Sequence, residues 1–189
     1  MSGVNAFKIA FIGTHGVGKT TLCYGLAARL KARDVVLDIV GEVARRCPLP
    51  INDATTRDAQ AWILHTQIAD ELRAAATHDL VICDRSVLDN YVYLLLAAGA
   101  QPTLGALVDA WLASYDLLVH VPIVDTPRPD GLRATDPTFQ RAVADRLARE
   151  IDRRALAVLP LDPGDRDGWL DAVADAVWQR LMPGQLALL

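Results

Sequence analysis

Residues Gly13 to Thr20 read GTHGVGKT and fit the spacing GxxxxGK[ST]. In that pattern a curled backbone turns successive N–H groups toward an anion. Gly13 and Gly18 permit the curl because they carry no Cβ. Lys19 would bridge the terminal phosphates of a nucleoside triphosphate, and Thr20 would ligate Mg²⁺. The candidate contacts to ATP phosphates are therefore Gly13, Thr14, His15, Gly16, Val17, Gly18, Lys19, Thr20 and Thr21, with His15 at a free position of the motif. Two further segments carry chemistry. LVICDRS ends in Asp84 and Arg85: the carboxylate is a second candidate for the Mg²⁺ shell, and the guanidinium would neutralise phosphate. In the plainer alternative, Asp84 caps the helix that begins near Ser86 and Arg85 is a surface cation. VVLDIVGEVARR places Glu42 after a strand pattern, positioned to accept a hydroxyl proton during in-line phosphoryl transfer. Its plainer alternative is a solvated acid beside Arg45 and Arg46, two arginines that would otherwise grip an acceptor phosphate.

These residues need a scaffold that presents them together. Phe7 to Ile12 reads as a buried strand directly before the glycine loop, and Leu22, Leu26 and Leu30 recur at helical spacing directly behind it. Four more strands are expected at Val35 to Val40, Leu80 to Cys83, Leu117 to Val121 and Ala155 to Leu161. Alternation of strands with helices implies right-handed crossovers and a parallel sheet, whose carboxyl ends hold the ligand. Helical stripes run through Ile63, Leu64, Ile68 and Leu72, and through Leu170, Val173, Val177 and Leu181. Asp136 and Pro137 read as N-cap and first residue of a helix carrying Phe139, Val143, Leu147 and Ile151.

A chain of 189 residues suits one domain spanning 1–189, with an irregular lid segment near 124–140. The residues are 52% apolar and 6% aromatic, which suits helices packed on a sheet. The formal charge is −4 and the only lysines are Lys8, Lys19 and Lys31, so extended nucleic-acid binding is not expected. Cys23, Cys47 and Cys83 form no CxxC pair, which signals neither zinc nor a disulfide framework, and a cytoplasmic setting is the default. Tyr91 to Ala98, the longest apolar run, is too short to span a bilayer. Trp62, Tyr91 and Tyr93 are aromatics that would stack an acceptor base, or else pack in the core.

The chain resembles the small P-loop kinases: deoxynucleoside kinases, thymidylate kinases and the nicotinamide riboside kinase-like ATP-binding proteins. The resemblance rests on GTHGVGKTTL, GEVARR, HTQIADE, DRSVLDNY and the arginine-bearing RPDGLR. It implies an α/β, three-layer P-loop NTPase fold, a five-stranded parallel sheet with helices on both faces. It also implies that Glu42 is a base, that Asp84 with Arg85 serve as the matching acid and arginine, and that Gln67 reads a nucleobase. Arg128 and Arg133 become lid arginines that clamp the transferring phosphoryl group. By analogy with related folds, the loop Asp162 to Asp165 would meet adenine. The sequence departs from the deoxynucleoside kinases in having DRS where they have ERS, and GEVARR where they have Glu-Pro. The expected activity is ATP- and Mg²⁺-dependent transfer of the γ-phosphate to a small nucleoside- or nucleotide-like acceptor, by a protein that can be an oligomer. Two rivals stand beside it, a kinase of polynucleotide 5′-hydroxyl ends and a switch or accessory ATPase acting on a protein partner. An NKxD-type guanine element is missing from the sequence, which favours adenine.

Overall fold

The computed structural model describes residues 6–51, 54–125 and 136–181. Five strands, β1 (Phe7–Ile12), β2 (Leu37–Val40), β3 (Leu80–Asp84), β4 (Leu117–His120) and β5 (Val158–Pro160), form one parallel sheet in the order β2-β3-β1-β4-β5. The helices are α1 (Lys19–Lys31), α2 (Arg57–Ala75), α3 (Val87–Ala98), α4 (Pro102–Leu112), α5 (Pro137–Arg153) and α6 (Trp169–Leu181), with a 3₁₀ turn at Val43–Arg46.

Strand alternation sorts side chains to two cores, one on each face of the sheet. Ile9, Phe11, Leu80, Ile82, Leu117 and Val119 face α1 and α6, while Ala10, Ile12, Val81, Cys83 and Leu118 face α2, α3, α4 and α5. The result is the three-layer α/β architecture anticipated above. Lys8 has the parity of Ala10 and Ile12, so its stem enters the second core, where it is 5% exposed. None of the described helices is long and apolar enough to cross a membrane.

β4 stops at His120, one residue before the expected Val121, and two strands begin later than expected, for one shared reason. Asp34 (φ 59) and Ala155 (φ 49) take the left-handed conformation, and each is followed by a six-to-one closing bond, Val35 N to Leu30 O and Leu156 N to Ile151 O. This is the Schellman closure of a helix. It spends the residues read as the starts of β2 and β5 on ending α1 and α5. Gly99 (φ 70) ends α3, and Pro102 opens α4. Asp136 caps α5, accepting from the Thr138 N–H at 2.8 Å with Pro137 at the first position.

Helix α2 corrects the expected stripe. Leu72 is 57% exposed, whereas Gln67 and Glu71 are 0% exposed. The helix is rotated so that Gln60, Ile63, Leu64, Gln67 and Glu71 point inward. Burying two polar side chains in place of Leu72 requires partners for them, and the neighbouring elements supply several.

Candidate functional site

The glycine loop joins β1 to α1 at the carboxyl edge of the sheet, and the register aligns Phe11 of β1 with Asp84 of β3. Gly13 (φ 149) passes so close to the residue after β4 that a Cβ there would lie 2.6 Å from the Val121 carbonyl oxygen. Gly18 (φ 98) is the residue before α1 and offers no side-chain cap, so the first N–H groups of that helix stay available to an anion. The Gly13 amide itself is already used, donating to Asp89 Oδ1 at 2.9 Å. Asp89 Oδ2 closes a capping box with the Ser86 N–H and hydroxyl at 2.9 and 2.8 Å. One buried carboxylate thus ties the glycine loop to the turn after β3.

Residues 16–21 line an open cleft together with Glu42, Asp84 and Arg85, and with Asp125 and Arg166. Thr20 and Asp84 meet directly, the hydroxyl donating to Asp84 Oδ2 at 2.5 Å. Two hard oxygens side by side at the phosphate end of a cleft are a donor set that fits Mg²⁺, which uses one or two protein oxygens plus water and phosphate. Among the described residues, no cluster of three or more His, Cys, Asp or Glu side chains could hold a metal alone. Lys19 folds back on the loop, donating to the carbonyl oxygens of Gly13 (2.8 Å) and Thr14 (2.5 Å). Burial, with Arg85 nearby, lowers its pKa from 10.5 to about 8.

Glu42 precedes the 3₁₀ turn and reaches across the cleft mouth. Its Oε1 accepts from Arg85 Nε at 2.9 Å and from the terminal guanidinium nitrogen at 2.7 Å, and Oε2 accepts from Arg45 Nε at 2.9 Å. The Arg85 charge outweighs burial and holds the Glu42 carboxyl down at about 2. Burial works against the Arg85 charge too, but Glu42 keeps it firmly protonated, its pKa raised well above the ordinary value. Arg85 has a left-handed backbone (φ 89), and its guanidinium lies 5.2 Å from the Tyr93 ring centroid.

Other candidates fall elsewhere. Thr14 and His15 are buried behind the loop; the His15 ring contacts Tyr93 Oη at 3.0 Å and stacks on Phe139 at 5.8 Å, and its carbonyl accepts from Gln140. His15 is therefore a packing joint between the loop, α3 and α5. Tyr91 lies in the second core, against Gly105 of α4 and under Arg154. On α3 it is Tyr93, two residues on, that faces Arg85. Trp62 is half-buried on α2 and does not line the cleft. Gln67 is sealed inside, its amide donating to Glu71 and to the Arg85 carbonyl. Arg46 pairs with Asp70. Arg128 and Arg133, with most of the lid segment, lie outside the described residues. Beyond Asp162 to Asp165, Arg166 reaches the cleft and pairs with Asp125. Asp125 and Arg166 carry no signal in the sequence because they are 41 positions apart, and Asp89 shows there only as a capping-box partner of Ser86, since Gly13 lies 76 positions away.

Solved structures with this fold include deoxyadenosine kinase from M. mycoides with bound dATP (TM-score 0.62, 16% identity, covering 90% of this chain and 98% of that one). NadR protein in complex with NR matches at TM-score 0.72 and 22% identity, and NadR in complex with NAD and AMP-PNP at 0.68 and 20%. Both matches cover 90% of this chain, which spans about half of each NadR chain, 51% and 49% respectively. The fold is that of small P-loop kinases. Curated proteins gave no match. A family model described as an AAA domain matches residues 8–167, a stretch that runs from β1 through the glycine loop, Glu42 and Asp84 to Arg166, and the chain belongs to that AAA domain family.

Proposed function

We propose that this protein is an ATP- and Mg²⁺-dependent phosphotransferase that moves the γ-phosphate of ATP to a small nucleoside- or nucleotide-like acceptor. The observation that carries this reading is the Glu42–Arg85 pair, which faces Lys19, Thr20 and Asp84 across one cleft. A loop that only bound nucleotide would not need an acid and an arginine opposite its lysine. The dATP, AMP-PNP and NR bound to the neighbours of the same fold support an adenine nucleotide as donor and a nucleoside-like acceptor.

The chemistry follows from the charges. Lys19 exchanges two loop carbonyls for terminal phosphate oxygens, and the N–H groups at the start of α1 take the remaining anionic charge. Thr20 and Asp84 would hold Mg²⁺, which would supply neutralisation of phosphate charge. Paired with Arg85, Glu42 is too weak a base, with a pKa of about 2. When Arg85 turns to the transferring phosphoryl group, Glu42 loses its strongest cation and its basicity rises. The acceptor O–H proton then passes to the Glu42 carboxylate, the acceptor oxygen bonds to Pγ, and the bond from Pγ to the β,γ-bridging oxygen breaks to release ADP. Arg128 and Arg133 would complete the clamp from the lid.

An acceptor screen tests this reading. Nucleosides, nucleoside monophosphates, nicotinamide riboside and 5′-hydroxyl oligonucleotides are incubated with ATP and Mg²⁺, and ADP and product mass are followed. A small-molecule product heavier by one phosphoryl group is expected. ADP release that no acceptor accelerates would overturn the proposal in favour of a switch ATPase, and phosphorylation of oligonucleotides alone would move it to polynucleotide ends.

A further inference from the structure

Behind β3, on the face away from α1, lies a polar cluster that the transfer chemistry does not use. Its centre is Glu71, fully buried. Oε2 accepts from Lys8 Nζ at 2.9 Å and Trp111 Nε1 at 2.7 Å, and Oε1 accepts from Gln67 Nε2 at 2.8 Å and Tyr115 Oη at 2.7 Å. The Lys8 ammonium also donates to Ser114 Oγ at 2.8 Å and sits 4.5 and 4.8 Å from the Trp111 and Tyr115 ring centroids.

Two arms of this cluster reach the turn after β3. The second N–H of the Gln67 amide points to the Arg85 carbonyl oxygen at 3.3 Å, and Tyr115 Oη accepts from the Val87 N–H at 3.1 Å. One carboxylate therefore grips the backbone on both sides of Ser86. The amide orientation is fixed by chemistry, since a flipped Gln67 would set its oxygen against a carboxylate and a carbonyl. These bonds fall where the backbone needs support. Arg85 holds φ 89 without being glycine, a conformation that persists only when its surroundings over-determine it. From the other side the Arg85 N–H is fixed to the Phe11 carbonyl at 3.2 Å. Relaxing that dihedral would swing the guanidinium off Glu42 and out of the cleft.

We propose that Glu71 is a positioning residue that acts through Gln67 and Tyr115 to hold the strained Arg85 backbone, so that Gln67 serves the phosphate side of the site and does not read the acceptor. The kinetic part of this proposal rests on the phosphotransfer reading; the structural part does not.

The test uses Gln67→Met, which keeps side-chain length and removes the amide, and Tyr115→Phe, which removes the other arm. Hydrogen exchange at Arg85 Nε, followed by ¹⁵N NMR and assigned by loss of the signal in Arg85→Lys, reports directly on the Arg85–Glu42 pair. Either variant is expected to accelerate that exchange by about tenfold or more. With an acceptor from the screen, each should lower kcat about tenfold at unchanged KM for ATP, and Gln67→Met should add nothing further in an Arg85→Ala background. Unchanged exchange in both folded variants would overturn the proposal whether or not an acceptor is found. Altered KM ranking among acceptors at preserved kcat would overturn it as well, returning Gln67 to acceptor reading. Failure to phosphorylate any acceptor would sink the phosphotransfer reading alone, since the exchange measurement decides the positioning role without it.

Discussion

Lys8 and Lys19 lie near opposite ends of the segment formed by β1 and its loop, both 5% exposed, and they meet opposite circumstances. Lys8 is saturated by a carboxylate, a hydroxyl and two aromatic faces. Lys19 has only two backbone carbonyls to set against its burial, and that burial, with the Arg85 charge second, loosens its proton to a pKa of about 8. The carboxylates differ in the same way: Glu71 is enclosed by fixed donors, whereas Glu42 sits at the rim of a cleft, held mainly by one arginine. A buried ion whose partners are complete holds the fold together. One whose partners are replaceable is ready to exchange them for a ligand.

The contrast predicts opposite consequences of deleting similar residues. Glu71→Ala leaves Lys8 as a buried, unpaired cation and should lower folding stability by about 3–5 kcal/mol, read from denaturant unfolding. A loss below about 1 kcal/mol would mean that Lys8 finds water or another acceptor, and the saturated cluster would lose its structural meaning.

Lys19→Met should cut turnover by roughly 10²–10³ through loss of a cation at the transferring group, yet raise folding stability. The sign follows from the pKa. Lys19 binds its proton less tightly in the folded protein (about 8) than in the unfolded chain (10.5). Below pH 8 the charged side chain therefore destabilises the fold, by about 3 kcal/mol at most, and the penalty fades as pH rises from 8 to 10.5. Lys8→Met should show the reverse, a lower unfolding midpoint. If both methionine variants move stability in the same direction, the distinction between the two lysines collapses.

Glu42→Gln should lower turnover by about 10² with ATP binding preserved, the low end for a general base because its basicity depends on Arg85 moving away first. Full acceptor-dependent turnover in this variant would shift the proposal to an acceptor that is already a phosphate, for which no base is needed.

The phosphate side of this comparison was largely legible in the sequence, because its residues are consecutive. Gly13 to Thr20 carry their strand and helix with them, and Asp84 with Arg85 end an uninterrupted apolar run. The opposite side was not. Lys8, Glu71, Trp111 and Tyr115 come from β1, α2, α4 and the segment after it, and only the sheet order brings them together. The four-residue spacing of Leu64, Ile68 and Leu72 on α2 therefore pointed to Leu72 as core, when the pairing of Glu71 with Lys8 had turned the helix the other way. Tyr91 and Tyr93 differ by two positions on one helix and so face different surroundings, a choice that composition could not make.

The smallest predicted effect isolates Lys19 within the cleft. Arg85 and Glu42 keep their charges across neutral and mildly alkaline pH, the first held well above its ordinary value and the second at about 2, so Lys19 is the group that changes between pH 7 and 9. Phosphate oxygens stabilise its ammonium, hence ATP binding must raise its pKa and draw a proton from solution whenever the empty site is partly deprotonated. Affinity for ATP should be flat up to about pH 8 and fall about tenfold by pH 9. Calorimetry in buffers of different ionisation enthalpy should show proton uptake near zero at pH 7 and approaching one per site at pH 9. Lys19→Arg, whose guanidinium stays charged, should bind with an affinity that no longer changes across that window. Were the wild type equally insensitive to pH, Lys19 would have to be either fully protonated throughout or remote from the phosphates. Measuring proton uptake separates those two cases: a strongly basic Lys19 gives none at any pH even as Lys19→Met abolishes binding, while a remote Lys19 leaves binding intact in Lys19→Met.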